Sequence, residues 1–225
     1  MPDNSPLAPL SFETLKAKQR LLRDGFPPEL GLRVHRAISW LHRAEMAQDD
    51  LDAAFIFYWI AFNAAYAQDG GWQDLPDEKS RANDFLGKLI KADTQKLIHT
   101  AVWERFSGPI RLLLDSRYVF QPFWNFHNQV PGYENWENSF TNGKKRATTA
   151  LANQDTLTVL TIVFNRLYTL RNQLMHGGAT WNSSVNRQQT GDGVRILGFL
   201  IPVMIDLMMD HPEKNWGTPY YPVAK

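Results

Sequence analysis

The stretch RLYTLRNQLMHGG, residues 166 to 178, sets Arg171, Asn172 and His176 immediately ahead of two glycines. Those three side-chain types suit work on a phosphate ester. A guanidinium matches a phosphate with planar, charge-assisted hydrogen bonds. An imidazole takes up or gives a proton near neutral pH, and a neighbouring carboxamide can orient the ring. On a helix, Asn172 precedes His176 by four residues and shares its face. Arg171, five residues back, lies roughly 140° around the axis, so its long side chain or a distorted last turn must close the gap. A histidine at a helix end is also an ordinary structural residue, because the macrodipole favours cations there.

The helix that carries these residues, TLTVLTIVFNRLYTLRNQLMHGG, has two faces. Leu157, Leu160, Phe164, Leu167 and Leu174 form an apolar stripe. Thr158, Thr161, Asn165, Thr169, Asn172 and His176 form a polar stripe with no Lys, Glu or Asp, which points to contact with another helix or another subunit. Arg171 falls where the apolar spacing expects a further leucine. A guanidinium there either reaches a polar cavity, where it can do chemistry, or it snorkels or pairs with a core carboxylate.

Upstream, SFETLKAKQRLLRDG reads as a helix stopping at Gly25. PPELGLRVHRAISWLHRAEMAQ reads as a second, with Leu30, Val34, Ile38 and Leu41 on one side. DDLDAAFIFYWIAFNAAYAQDGG is a third, apolar nearly all round, and so is expected at the centre of the core. Two or three helices follow before residue 120, broken near Gly108-Pro109. Residues 121–143, rich in aromatics, Asn, Gly and Pro, lose periodicity and read as an ordered aromatic-rich loop insertion. GDGVRILGFLIPVMIDLMMDHPE is a last apolar helix with Pro202 inside it. No strand run or repeat is evident. The expectation is one all-α domain over residues 1–225: a helical bundle of about seven to nine helices, with an extended lead (1–10) and an extended tail (212–225).

At 225 residues the chain is long enough for a sizeable core. A formal net charge of +1 gives no bulk case for nucleic-acid binding, so any polyanion site must be local. The absence of cysteine removes disulfides, thiolate metal sites and thiol nucleophiles. No apolar run reaches membrane-spanning length, and the N-terminus has no signal-peptide pattern, so a cytoplasmic protein without a membrane partner is expected. Other candidates are weaker. His35 and His42 align on one helix without a carboxylate to complete a metal set. TNGKKRATT reads as a solvated basic loop that could meet phosphates, and FQPFWNFH as a packed loop that could stack bases. Phosphate-binding glycine loops, G-x-S-x-G and H-E-x-x-H are absent, and no cofactor or metal is expected.

LRNQLMHGG in a late helix of an all-α chain resembles the HEPN superfamily, whose motif is an Arg, a polar residue and, after a short spacer, a His. Arg171, Asn172 and His176 occupy those places. FYWIAFNAAYA is similar to the aromatic core helix of the Apea-like HEPN branch found in bacteria. The resemblance covers the core helices and leaves 121–143 outside. It implies a helical bundle that forms a homodimer, often a metal-independent endoribonuclease with RNA bound at the dimer cleft. It also implies Arg171 and His176 as catalytic residues with Asn172 orienting, and a toxin or a phage-defence or stress effector, sometimes held by an antitoxin. Other members bind nucleotides or protein partners without cutting.

Overall fold

The computed structural model describes residues 10–47, 49–67 and 78–223. Among them the chain forms ten α-helices and no β-strand, one more helix than the upper end of the sequence expectation. The excess comes from short pieces inside regions read as single helices or as loop. Among the described residues no helix is long and apolar enough to cross a membrane.

Helix α1 (Phe12–Leu22) starts at Ser11, whose N–H is capped by the Thr14 hydroxyl at 2.9 Å. A three-residue 3₁₀ turn carries it to Gly25. Helix α2 (Pro28–Glu45) begins with proline in its first turn, where the missing N–H costs nothing. Its stripe of Leu30, Val34, Ile38 and Leu41 is buried as the spacing required. Helix α3 (Leu51–Tyr66) is capped by Asp50, whose Oδ1 accepts from the N–H groups of Asp52 and Ala53 at 3.0 Å each. With α2, α9, α10 and α4 around it, α3 is the central element. Phe62 lies at its heart, 4.4 Å from the Tyr66 ring and 4.6 Å from that of Phe164. The Gly70-Gly71 pair taken as the end of this helix lies outside the described residues.

Helix α4 (Glu78–Ala92) leads to α5 (Leu97–Thr100), which widens into a π-helical turn over Ala101–Arg105. There the Phe106 N–H donates to the Ala101 carbonyl, five residues back, at 2.9 Å. The break falls at Phe106, so Gly108 and Pro109 sit in the first turn of α6 (Ser107–Asp115) rather than ending a helix.

The reading of 121–143 as a loop is corrected by the structure. Gln121–His127 is helix α7, and α8 runs over Trp136–Ala152, taking in the basic stretch TNGKKRATT. Only the turn between them is irregular, with Gln129 and Gly132 at positive φ. Pro122 lies in the first turn of α7, where it is tolerated. Packing supplies what propensity lacks: Phe123 is buried, edge-on to Trp136 at 5.0 Å and to Tyr118 at 5.6 Å.

Helix α9 (Thr156–Met175) and helix α10 (Arg187–Asp210) complete the bundle. Pro202 is buried within α10. Residues 212–223 have no helix, yet they are strapped to the core. Trp216 is buried against Phe85, and Arg33 donates to the carbonyls of Gly217, Thr218 and Ala65 at 2.9 Å each.

Candidate functional site

The end of α9 is built by local chemistry first. Asp155 caps its start, accepting from the Thr158 N–H at 3.0 Å. At the other end His176 is the C-cap, followed by Gly177 at φ +68°. The Gly177 N–H reaches the Leu174 carbonyl at 3.3 Å and the Gly178 N–H that of Gln173 at 2.7 Å, the paired bonds of a Schellman motif. The two glycines therefore stop the helix and set the direction of His176.

Tertiary bonds then frame this end. Gln173 donates from Nε2 to the Tyr118 carbonyl at 2.7 Å and accepts from Asn186 Nδ2 at 2.8 Å. The loop after the glycines returns to the start of α3. Trp181 Nε1 donates to Asp50 Oδ2 at 2.9 Å, while the Asn182 N–H and Arg187 Nη2 share Asp52 Oδ2 at 2.7 and 3.0 Å. The N–H of Ala53, the Trp181 indole and the N–H of Asp52 together hold the Asp50 carboxyl below its usual range.

Within this frame Arg171 and Asn172 are half-buried and His176 is exposed. Arg171 Nη1 donates to Asn172 Oδ1 at 3.0 Å. The link from Asn172 to His176 is through backbone, the His176 N–H donating to the Asn172 carbonyl at 3.0 Å. The His176 ring bonds to no described residue. Thus the fold joins Arg171 to Asn172 and leaves the imidazole facing solvent one turn later. Arg171 pairs with no described carboxylate.

The two stripes are less separate than spacing implied. Leu160, Phe164 and Leu167 are buried, but Leu157 is exposed. Of the polar stripe, Thr169 is buried and Thr158, Thr161, Asn165 and Asn172 are half-buried. Packing by α4, α6 and α8 on several sides of α9 takes up much of that surface within one chain.

A second arginine of α9, which the spacing argument did not single out, lies in apolar surroundings. Arg166 is 4% exposed, its guanidinium 4.4 Å from the centre of the Phe120 ring and 5.5 Å from that of Phe140. Its Nε has no acceptor and no described carboxylate pairs with it. Burial pulls its pKa down to about 10. The signal was present: Val159, Val163, Arg166 and Leu170 follow one another at helical spacing, and all four are buried.

The remaining candidates resolve structurally. His42 stacks on Phe12 with ring centres 3.8 Å apart, and His35 is exposed. Lys144, in the basic stretch, pairs with Asp115 at 2.8 Å. Among the described residues no three His, Asp or Glu side chains gather as a metal site requires.

Fold and site together define an all-α helical domain presenting an Arg-Asn and a His at one rigidly framed helix end. Compared with protein-family models, with curated proteins and with solved structures, the chain matches none.

Proposed function

We propose that the chain is a HEPN-type endoribonuclease that cleaves RNA without a metal at the cleft of a homodimer. One observation carries this reading. His176 is exposed at a helix end held by several side-chain and backbone bonds, with Arg171 and Asn172 bonded to each other in the turn before it. A surface this well ordered, ending in an imidazole that the fold does not use, suits chemistry better than scaffolding.

The reaction follows from the residue types. One His176 takes the proton of a ribose 2′-hydroxyl as its oxygen forms a bond to phosphorus. The bond from phosphorus to the 5′-oxygen breaks, and a second His176, brought by two-fold symmetry, protonates the leaving oxygen. Arg171 stabilises the charge on the pentacoordinate phosphorus, and its bond to Asn172 fixes the guanidinium plane. The products are a 2′,3′-cyclic phosphate and a 5′-hydroxyl. A role as a toxin or a defence or stress effector, restrained by an antitoxin, belongs to the same reading.

The test is incubation of purified protein with a mixed RNA pool in EDTA, followed by end-group analysis. Cleavage with cyclic-phosphate ends that disappears with His176→Ala is expected. Cleavage that needs a metal, or that survives His176→Ala, overturns it.

One observation favours a second reading, a non-catalytic HEPN module that binds a nucleotide or a partner protein. Within a single chain Arg171 is engaged by Asn172 and not by His176. That reading expects no turnover, and loss of a bound nucleotide or partner with Arg171→Ala.

A further inference from the structure

A cavity of 840 Å³ opens between α1, α3, the π-helical turn, α6 and α10. Its volume falls within the range of about 300–1,000 Å³ common to small-molecule sites. None of its walls comes from α9, so it is separate from the His176 end. Apolar side chains, including Leu97, Phe106, Val194 and Phe199, make up its floor.

Three features distinguish it from a packing defect. First, Tyr58 is buried to 8% exposure and its hydroxyl bonds to no described residue. That hydroxyl lies over Gly198, where a Cβ would approach it to 3.1 Å, so the glycine keeps the wall open beside a hydroxyl that lines the cavity. Second, a π-helical turn follows the short helix α5 and ends at Arg105 on the rim. Such turns are energetically unfavourable and recur at binding sites. Third, the charges are unequal. Lys18 is bound to Asp206 at 2.6 Å and to Asp210 at 2.7 Å, and Arg195 pairs with Asp192. Arg105 pairs with no described carboxylate. Its guanidinium carbon lies 4.6 Å from the centre of the Phe199 ring and 5.6 Å from that of Phe106. The side chain is exposed and its N–H groups donate to no described residue, which leaves them available to an anion.

We propose that this cavity binds a small planar aromatic carboxylate. Its anionic group lies on the N–H edge of Arg105, its ring against Phe106 and Phe199, and a hydroxyl or carbonyl substituent reaches Tyr58. A single charge is specified because one rim cation lacks a carboxylate, while Asp206 and Asp210 repel a dianion such as a phosphate monoester. The proposal stands whether or not the protein cuts RNA.

The probes are 2-naphthoate, its neutral amide and 6-hydroxy-2-naphthoate, titrated by calorimetry against the full chain. One-to-one saturable binding of 2-naphthoate is expected, weakened about tenfold or more in the amide and in Arg105→Gln. The 6-hydroxy compound binds more tightly than 2-naphthoate, and Tyr58→Phe removes that advantage while leaving 2-naphthoate unchanged. The comparison of acid with amide needs no variant and so does not depend on how Arg105→Gln folds. Equal binding of acid and amide, no effect of Arg105→Gln in a folded variant, or no saturation at millimolar probe overturns the proposal.

Discussion

Arg171 donates a hydrogen bond to the side chain of Asn172, its immediate neighbour on α9, at 3.0 Å. This bond turns two residues on different helix faces into one unit and leaves His176 outside it. In the ribonuclease reading Arg171 is held ready for phosphate while the imidazole stays free to exchange protons. His176→Ala then lowers cleavage by about 10²-fold or more. Asn172→Ala, which releases the guanidinium, lowers it by about tenfold through kcat rather than KM. Single-turnover RNA cleavage measures both. An Asn172→Ala enzyme with wild-type kcat removes Asn172 from the site.

Two buried arginines with opposite surroundings give a paired test. Arg33 donates to three backbone carbonyls, whereas Arg166 has only aromatic faces. A lone buried charge costs several kcal/mol, of which a desolvated cation–π contact returns about 2 kcal/mol. Arg166→Met is therefore expected to raise stability by about 1 kcal/mol or more in urea unfolding. A loss of stability would show that the guanidinium has a further partner.

Arg33→Met should do the reverse. It leaves the Ala65, Gly217 and Thr218 carbonyls without their donor, at a cost of at least about 2 kcal/mol. The strap over 212–223 loosens with it, so limited proteolysis should cut there before the helices. Unchanged protection of the strap would place its anchor at Trp216 instead.

Gly177 at φ +68° lies where a Cβ is strained. Gly177→Ala is expected to cost about 1 kcal/mol in thermal unfolding. It also redirects His176, so RNA cleavage should fall further than the stability loss explains. Full activity in a folded Gly177→Ala protein would separate the glycine from the site.

Asp50 ties the site to acid. Its folded pKa is depressed, so its contribution is present above the unfolded carboxylate range and is lost as pH falls through the folded value. Asp50→Ala should cost about 1 kcal/mol at pH 7. The gap from wild type should narrow below roughly pH 4, as chemical unfolding at pH 7 and pH 3 would show. A gap constant across that range would assign the effect to packing alone.

What could be read from sequence here was what neighbours in the chain decide. The Asp50 cap, the buried stripe from Leu30 to Leu41, and the stop at Gly177-Gly178 all rest on contacts within four residues or so. Helical spacing likewise fixes the angle between any two residues of α9. It does not say on which side the core lies. That was settled by α4, α6 and α8 closing around α9, which sealed Arg166 and Thr169 inside and left Leu157 outside. The same limit explains 121–143, where Pro, Gly and Asn speak against helix locally and aromatic packing among Tyr118, Phe123 and Trp136 overrides them. The cavity beside Arg105 was beyond reach for the same reason. Tyr58, Arg105 and Phe199 come from three separate elements and meet only when the bundle closes.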